Sequence, residues 1–434
     1  MPEQALKVFL AEQLRASPEV KRLVLGFSGG LDSTVLLHAL LEVAPCFQRP
    51  LLAVHVHHGL SLNADAWVAH VQTLCADRGV PLEIHRVGVA QQASLEAAAR
   101  EARYAAFAAS LSAGDALLLA QHQDDQAETL LFRLLRGAGV TGLGAMHAVS
   151  RFALAGDLSV PQWRPLLGLS RSALEQYATD NALSWVEDES NRDIRYARNF
   201  LRQEIFPRLR SQWPAATPTL AATALRLQEA DGLLDELALE MAQTCIDDGW
   251  RLLIPAWRAL TPARQRLLLR YWLQQQQLPM PGAQMLDKIG RELIAAGDDA
   301  TPLLTWPGCE IRRYREHVYA MVPRPPVDRE WQCEWDGRLP LTLPDGRVLQ
   351  AEMNTANEKQ PAFRVCYRRG GERLRPAGQT QSRALKTLLQ EAGMPPWERE
   401  RVPLVFAGDD LLAVAGLAVN TAAAAGIGLR LVLK

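Results

Sequence analysis

The sequence has few of the features that mark redox, metal-cluster, secreted or membrane proteins. Its 434 residues include six cysteines, and no two of these are spaced as Cys-x-x-Cys. Without this spacing the sequence lacks the usual signature of a zinc ribbon, a thioredoxin-like pair or a cysteine-ligated iron–sulfur cluster. No run of about 18 consecutive apolar residues is present, and charges interrupt every turn of the first twenty residues. We therefore expect a cytoplasmic protein with reduced thiols and no membrane partner.

An excess of one charge sign is also absent. Lys and Arg number 47 and Asp and Glu number 48, so the formal net charge is −1. The total charge neither favours nor excludes nucleic acid as a partner, because local clustering decides such binding. With 48% hydrophobic and 22% charged residues, the chain is expected to fold into two or three globular domains.

The first half alternates short apolar runs with helical periodicity. This order predicts an α/β domain, with a parallel sheet that carries helices on both faces. The predicted strands are Leu23–Phe27, Leu51–Val56, Leu82–Val87 and Ala116–Ala120, and the predicted helices are Ser33–Val43, Ala64–Arg78, Leu95–Leu111 and Gln126–Arg136. Ligands bind beyond the carboxyl ends of the strands in such sheets, so the residues that follow each strand are functional candidates.

The pattern changes after residue 212, where Trp213-Pro214 ends a helix. A mostly helical middle domain is predicted, followed by the proline-rich linker Pro323–Pro326 and a small α+β domain that contains one helix, Ser382–Ala392. The middle segments are helices over Leu220–Gln243, Arg264–Gln277 and Met285–Ala296 and a strand over Cys309–Val322. We expect domains at residues 1–212, 213–326 and 327–434.

The segment Ser28-Gly29-Gly30-Leu31-Asp32-Ser33, called the phosphate loop below, joins the first predicted strand to the first helix. Its glycines let the backbone approach a ligand closely, and a helix N-terminus presents free N–H groups that suit phosphate. Asp32 would repel phosphate unless a cation intervened. The pattern therefore predicts a phosphate site with Mg²⁺ bound at Asp32.

Other patterns compete with this interpretation. A Walker A loop requires Gly-Lys-Ser/Thr, and the dipeptide Gly-Lys is absent. Gly26–Gly30 fits the Gly-x-Ser-x-Gly turn of serine hydrolases, which remains an alternative although it leaves Asp32 and Ser33 without a purpose. Gly137–Gly142 fits Gly-x-Gly-x-x-Gly but follows a helix, which is the wrong context for dinucleotide binding.

Acidic residues and histidines follow two other predicted strands. Ala120–Thr129 contains Asp124, Asp125 and Glu128, and these carboxylates could bind a metal or accept a proton. Residues 55, 57 and 58 are histidines. We favour residues near a nucleotide over a zinc site, because on a strand only the first two would share a face.

SGGLDS is similar to the signature of the PP-loop ATP pyrophosphatases, which cleave ATP to AMP and pyrophosphate while adenylating a substrate. Several further segments, in the same order, resemble the tRNA(Ile)-lysidine synthetase family. They are His55–Leu60, Glu101–Tyr104, Ala120–Thr129, Arg133–Met146, Glu187–Asn191 with Tyr196–Arg202, and Gly370–Pro376 through Lys386 to Trp397. Gln121 departs from the glycine that the family often has there. The resemblance is dense over residues 20–210.

This resemblance implies a PP-loop fold and an ATP-dependent ligase. Members attach free L-lysine to carbon 2 of the wobble cytidine in the CAU anticodon of isoleucine tRNA, through an adenylated cytidine. It implies that Ser28 to Ser33 of the phosphate loop grip the pyrophosphate end of ATP. From the chemistry of the residues we further expect His55 and Arg103 to bind ATP, Asp32 and Asp125 to bind Mg²⁺, and Asp32, Asp124 and Asp125 to be catalytic, with the separate roles of Asp124 and Asp125 left open. Another PP-loop enzyme, such as a tRNA thiolase, is the alternative, but thiolases commonly use paired cysteines.

Two basic clusters stand out on the neutral chain. One follows Asn191, and the other spans Arg364–Lys386, where seven basic residues accompany one acid, Glu372. Two clusters in separate domains favour contact with a phosphate backbone over a solvated charged face. The residues expected to bind tRNA are Arg195, Arg198 and Arg202 in the first cluster, and Arg368, Arg369, Arg373, Arg375, Arg383 and Lys386, called the carboxyl patch below, in the second.

Overall fold

In a computed structural model the chain forms two compact units, Met1–Glu236 and Leu237–Lys434. The structure describes residues 2–59, 61, 63–88, 95–156, 158–189, 193–297, 302–352, 362–376, 380–417 and 429–433. Leu60, Ser190 and Asn191, which belong to the motifs above, lie outside the described residues. Within these ranges no helix has the length and apolar character needed to cross a membrane.

The first unit alternates strands and helices as the sequence predicts. Its strands are β1 Arg22–Gly26, β2 Leu51–His57, β3 Leu82–Arg86, β4 Asp115–Leu118, β5 Val149–Ala153 and β6 Ser159–Trp163. Its helices are α1 Pro2–Ala16, α2 Leu31–Val43, α3 Ala64–Asp77, α4 Leu95–Ser110, α5 Gln123–Leu135, α6 Val140–Leu143, α7 Arg171–Asp180, α8 Ala197–Phe200 and α9 Phe206–Gln212. A π-helical segment, Leu201–Ile205, joins α8 to α9.

The six strands form one sheet in the order β3-β2-β1-β4-β6-β5. β1 pairs in parallel with β2 and β4, and β3 and β6 continue the parallel set, whereas β5 is antiparallel to β6. The predicted parallel sheet is confirmed. Its order brings the carboxyl ends of β1, β2 and β4 to one edge, where polar residues follow all three strands.

Apolar side chains cover both faces of this sheet, as expected for parallel strands that read as continuous hydrophobic runs. One cluster contains Leu23, Leu25 and Trp163 of the sheet, together with apolar residues of α1, α2 and α7. The other contains Val24 and Leu117 with Phe107 of α4. The strands therefore form a rigid platform for the loops at the carboxyl edge.

Helix α10, Ala216–Cys245, follows, and the rest of the chain combines short helices with antiparallel sheets. The helices are α11 Ile254–Arg258, α12 Pro262–Gln275, α13 Ala283–Lys288, α14 Leu385–Glu391 and α15 Pro396–Arg399, and α13 continues as the π-helical segment Ile289–Ile294. The strands are β7 Leu252–Leu253, β8 Leu303–Trp306, β9 Cys309–Tyr314, β10 His317–Met321, β11 Gln332–Trp335, β12 Leu341–Thr342, β13 Val348–Glu352, β14 Phe363–Tyr367, β15 Arg373–Leu374, β16 Arg383–Ala384, β17 Pro403–Ala407, β18 Asp410–Val414 and β19 Arg430–Leu433.

The middle part of the chain adds a four-stranded antiparallel sheet, β7-β10-β9-β8, to the expected helices. The prediction of a single strand over Cys309–Val322 was wrong. This segment forms a hairpin of β9 and β10, because the chain reverses at Arg315, which has a positive φ of 54°. The last part contains sheets β11-β14-β17-β18 and β12-β13-β19 and the pair β15-β16. The division at residues 212 and 326 stays a prediction.

Candidate active site

The phosphate loop is held in shape by its own hydroxyl groups. Ser28 Oγ and Ser33 Oγ lie 3.0 Å apart, Gly29 N donates to Ser33 Oγ at 3.2 Å, and Gly30 N donates to Ser28 Oγ at 3.3 Å. The first bond of α2 runs from Thr34 N to Gly30 O at 3.0 Å. The amides of Leu31, Asp32 and Ser33 precede it, so they have no partner within the helix and suit an anion.

Gly29 is required at its position for two reasons. Its φ is +81°, and a Cβ atom there would lie 2.6 Å from Val71 Cγ1. The loop is also fixed from outside, because Val186 N donates to Gly29 O at 2.9 Å. The backbone before Glu187 thus borders the phosphate loop, which brings two of the motifs together.

His122 caps helix α5 and faces the phosphate loop. The residue is buried, its Nδ1 accepts a hydrogen bond from Asp124 N at 3.2 Å, and Asp125 Oδ2 accepts one from His122 N at 3.0 Å. This arrangement is a capping box, with histidine in the place usually taken by serine or threonine. Because Nδ1 is an acceptor, the Nε2 atom of the ring carries the proton.

The Nε2 atom of His122 lies between two carboxylates. It is 3.6 Å from Asp32 Oδ2 and 3.4 Å from Asp125 Oδ2. Burial raises the pKa of Asp32; His122 offsets part of that rise, and Asp125 adds to it. Asp32 Oδ1 is buried and has no hydrogen-bond partner among the residues that the structure describes. Two close carboxylates and an unpartnered oxygen next to a phosphate-type loop form a site that favours a cation.

Arg202 secures the opposite side of Asp125. It donates to Asp125 Oδ1 at 3.1 Å and to both carboxylate oxygens of the buried Glu128 at 2.7 and 2.8 Å. Burial alone would raise the pKa of Asp125, but His122, Arg198 and Arg202 together hold it below its ordinary value. Arg202 lies in the first π-helical segment, a type of turn frequent at functional sites. Asp125 is therefore ionised near neutral pH.

Asp124, although adjacent, points elsewhere. Its Oδ2 accepts a hydrogen bond from Arg171 N at 2.9 Å, and its Oδ1 lies 3.6 Å from Arg210. The Asp124 side chain therefore secures the first residue of α7, whereas Asp125 faces Asp32 and His122. The structure gives the two predicted catalytic aspartates different surroundings.

His55 and Arg103, predicted to bind ATP, lie at the same sheet edge. His55 is buried at the end of β2, and its Nδ1 lies 2.9 Å from Phe27 O, an acceptor, so Nδ1 carries the proton. Burial lowers the pKa of His55, which leaves Nε2 as an acceptor. Burial, together with Arg103 and the neighbouring histidines, lowers the pKa of His58 to about 4. The edge thus offers neutral imidazole groups beside an arginine.

The geometry disfavours two alternatives raised by the sequence. Within the described residues, Ser28 has Ser33 and Gly30 as its hydrogen-bond partners, so the histidine base of a serine hydrolase is missing. The part of the chain that the structure describes contains no group of three or more His, Cys, Asp or Glu side chains arranged as a metal site. His55 and His57 have separate partners, Phe27 and Asp65.

The arginines of the first basic cluster divide into two groups. Arg195 is 86% exposed and pairs with Asp193 at 2.6 Å. Arg198 donates to Thr129 Oγ1 of α5 at 3.1 Å, and Arg202 contacts Asp125 and Glu128. Only the first of the three therefore has the solvent-facing position expected for a phosphate contact, and the other two support the active site.

Four arginines of the carboxyl patch form hydrogen bonds with other groups of the second unit. Arg368 donates to Glu372 at 3.1 Å, Arg383 to Glu391 at 2.5 Å, Arg373 to Ser382 O at 2.5 Å and Arg369 to Arg329 O at 3.0 Å. Arg375 and Lys386 are exposed. Arg373 and Arg375 lie on and just after β15, so the most accessible cations surround this short strand pair.

A cleft of about 590 Å³ in the same unit adds a second basic surface. Arg312 of β9 lies over the ring of Trp397 at 5.3 Å, and Tyr319 of β10 meets that ring edge-on at 5.2 Å. The remaining arginines of the cleft pair with nearby carboxylates or carbonyls. The lining residues are Arg312, Arg324, Pro326, Val327, Arg329, Pro396, Trp397, Glu400 and Arg401.

Sequence reasoning missed four side chains of this site: His122, Glu128, Arg171 and Arg202 were not recognised in the roles their contacts give them. His122 lies in the segment Ala120–Thr129, two residues before Asp124. Its position shortly after a predicted strand was the available signal. The partners of Arg202 lie 74 and 77 residues away in sequence. No local pattern in the sequence carries that information.

Known domain families match three consecutive parts of the chain. Residues 3–209 match the PP-loop domain, residues 252–319 the TilS substrate binding domain and residues 363–431 the TilS substrate C-terminal domain. With the parallel sheet and the phosphate loop, these matches define an ATP-utilising, tRNA-modifying enzyme of the PP-loop class.

Close relatives narrow this class. A tRNA(Ile)-lysidine synthase of Pseudomonas aeruginosa is 46% identical over 437 residues, which cover 96% of this chain and 94% of that protein. Those of Xylella fastidiosa and Xanthomonas campestris are 46% and 43% identical, over 90% and 92% of this chain and 89% and 91% of those proteins. The chain belongs to the tRNA(Ile)-lysidine synthase family.

Proposed function

We propose that the protein joins L-lysine to carbon 2 of the wobble cytidine in the CAU anticodon of isoleucine tRNA, with conversion of ATP to AMP and pyrophosphate. The observation that carries the proposal is the geometry at the sheet edge, where Asp32 of the phosphate loop meets His122 and Asp125. Membership of the family over nearly the whole chain supports the choice of substrates. Cytoplasmic location belongs to the same proposal, since tRNA and ATP are present there.

The first step activates the base. The phosphate loop binds the pyrophosphate end of ATP through the amides at the start of α2 and the hydroxyls of Ser28 and Ser33. The O2 atom of cytidine attacks the α-phosphorus, and pyrophosphate leaves. His55 and Arg103 border the nucleotide at the same edge. Carbonyl oxygen is a poor leaving group, whereas the adenylated oxygen departs as AMP.

Asp32 and Asp125 are the residues that would hold Mg²⁺. The fit rests on the unpartnered Oδ1 of Asp32 and on the closeness of the two carboxylates. Mg²⁺ commonly takes one or two protein carboxylates and completes its shell with phosphate oxygens and water. When bound it would neutralise phosphate charge during adenylation.

The second step requires a neutral lysine amine. With a reference pKa near 10.4, roughly one amine in 2,500 is neutral at pH 7, which costs about 4.6 kcal/mol. After pyrophosphate has left, the ionised Asp125 can bind the ammonium group and help its proton to pass to solvent. The amine then attacks carbon 2 and AMP leaves. Asp124 stays a predicted catalytic residue, although its contacts favour a positioning role.

Incubation with ATP, labelled lysine and bulk tRNA tests the proposed function. Label is expected in RNA only when ATP is present, with one AMP and one pyrophosphate released for each lysine incorporated. A transcript of the isoleucine tRNA whose wobble cytidine is replaced by uridine serves as the matched control and should stay unlabelled. ATP turnover with tRNA but without lysine incorporation would contradict the proposal and favour another PP-loop modification.

The carboxyl patch gives a test of tRNA binding by the second unit. Replacing Arg373 and Arg375 with Gln should weaken tRNA binding and reduce the slope of log K against log salt by about one to two units, since each lost phosphate contact removes roughly 0.7–0.9. The Michaelis constant for tRNA should rise much more than those for ATP and lysine. The measurement is a salt titration of tRNA binding.

Arg430→Gln is the control for this test, because Arg430 is an exposed arginine, paired with Glu352, outside the carboxyl patch. Circular dichroism verifies that each variant is folded. If the slope and the affinity of the double variant equal those of the wild type, the carboxyl patch is a solvated face, and the tRNA contact must lie elsewhere, for example at the cleft around Trp397.

A further inference from the structure

Arg171 is a partly exposed cation at the edge of the active site. Of the two arginines that favour the ionised form of Asp32, Arg202 is fixed by three hydrogen bonds to carboxylates. Arg171 is 41% exposed, its Nη1 lies 3.9 Å from Asp32 Oδ2, and its Nε donates to Glu175 at 3.0 Å. Its guanidinium group therefore lies beside the phosphate loop, and among the described residues its two terminal nitrogens have no hydrogen-bond partner.

The position of Arg171 is built into the fold. Arg171 is the first residue of α7, the side chain of Ser170 caps that helix through Ala173 N at 3.2 Å, and Asp124 Oδ2 accepts the hydrogen bond from Arg171 N at 2.9 Å. Asp124 in turn belongs to the first turn of α5, which carries Asp125. The backbone of Arg171 is thus fixed to α5 through Asp124, whereas its partly exposed side chain is paired with Glu175 of its own helix.

We propose that Arg171 is a catalytic residue that binds the pyrophosphate released during adenylation and that Glu175 is its partner in the free enzyme. This inference rests on the proposed function. During adenylation, cytidine O2 forms a bond to the α-phosphorus, and the bond between that phosphorus and the oxygen bridging to the β-phosphate breaks. The bridging oxygen keeps the electron pair, so negative charge grows on pyrophosphate next to the carboxylate of Asp32.

A guanidinium group suits this task for a physical reason. Its planar set of donors can bind two phosphate oxygens at once, and its charge is permanent. When the guanidinium group rotates away from Glu175, it loses an ion pair with an exposed carboxylate, which contributes little to stability. In return it contacts a multiply charged phosphate inside the site. The sequence region of α7 carries no recognised phosphate motif, so the role follows from the distances alone.

Binding of magnesium pyrophosphate tests the inference without tRNA or lysine. Calorimetric titration of the full chain should give a dissociation constant roughly tenfold or more higher for Arg171→Ala, as expected for the loss of a charge-assisted hydrogen bond. Arg171→Lys should recover part of the affinity. Glu175→Gln should bind as tightly as the wild type or more tightly, because it releases the guanidinium group.

Glu175→Gln separates this role from a structural one. Both Arg171→Ala and Glu175→Gln break the ion pair of α7, so a merely structural pair would make the two variants behave alike. Single-turnover release of pyrophosphate with tRNA and no lysine should be slowed roughly 100-fold by Arg171→Ala, the usual cost of losing a donor to developing charge, and not by Glu175→Gln. Thermal melting checks the fold of each variant.

Equal pyrophosphate affinity in the wild type and Arg171→Ala, or equal losses in Arg171→Ala and Glu175→Gln, would overturn the inference. Absence of pyrophosphate binding by the wild type would overturn it as well. Failure of the proposed function would give a different result. The affinity for pyrophosphate would depend on Arg171, but the wild type would incorporate no lysine into tRNA. In that case the pyrophosphate site stands and the acceptor of the adenylate is another molecule.

Discussion

Asp32→Ala and Asp32→Asn are expected to reduce lysine ligation by roughly a thousandfold or more. Asp32 is the proposed metal ligand within the phosphate loop, and metal stabilisation of phosphate charge is worth several kcal/mol, with each 1.36 kcal/mol equal to a factor of ten in rate. The measurement is a single-turnover assay of labelled lysine at saturating ATP, Mg²⁺ and tRNA.

The fold should survive this change. Within the described part of the chain Asp32 Oδ1 makes no hydrogen bond, and burial together with Asp125 disfavours the ionised carboxylate. Removal of the charge therefore costs no buried bond and relieves repulsion, so the melting temperature should stay the same or rise. Ser33→Ala is a useful contrast, because Ser33 Oγ accepts from Gly29 N and its loss should loosen the loop. Wild-type activity in Asp32→Asn would exclude Asp32 as a metal ligand.

The alternation of apolar runs and helical periodicity predicted strands β1 to β4, which carry the site. Strands β1 to β4 are apolar runs bounded by helical periodicity, and each lies within two residues of its predicted limits. The antiparallel pair β5 and β6 was not predicted, because Arg151 and Ser159 interrupt the apolar pattern and Pro161 argues against a strand. The structure tolerates that proline because β6 pairs with β4 only at Gln162 and Trp163, so its missing N–H is not needed there.

The candidate site was predicted as a set of segments rather than as a set of contacts. The rule that ligands bind beyond the carboxyl ends of parallel strands placed the phosphate loop, His55 and Asp125 at one edge. It could not show that Asp124 and Asp125 diverge, since that depends on the capping box of α5 and on arginines that lie 47 to 86 residues further along the chain. Helix capping and long-range ion pairs separate two adjacent residues of identical chemistry.

That divergence leads to an expected difference between Asp125→Asn and Asp124→Asn. Asp125→Asn should slow lysine incorporation by roughly 100-fold or more, the usual range for lost acid–base assistance, while tRNA affinity stays unchanged. An asparagine there has one oxygen for the two donors that Asp125 serves, His122 N and Arg202, and it carries no charge for a metal or an ammonium group.

Asp124→Asn, the matched neighbour, should slow the reaction by less than about tenfold, because its amide oxygen can still accept the hydrogen bond from Arg171 N. This decrease in rate should affect adenylation, because Asp124 positions Arg171, and it should not affect lysine transfer. Pyrophosphate release without lysine, and lysine transfer to preformed adenylated tRNA, measure the two steps separately. If Asp124→Asn is the slower variant in lysine transfer, the roles assigned to the two carboxylates must be exchanged, because Asp124 would then be the residue that contacts the amine.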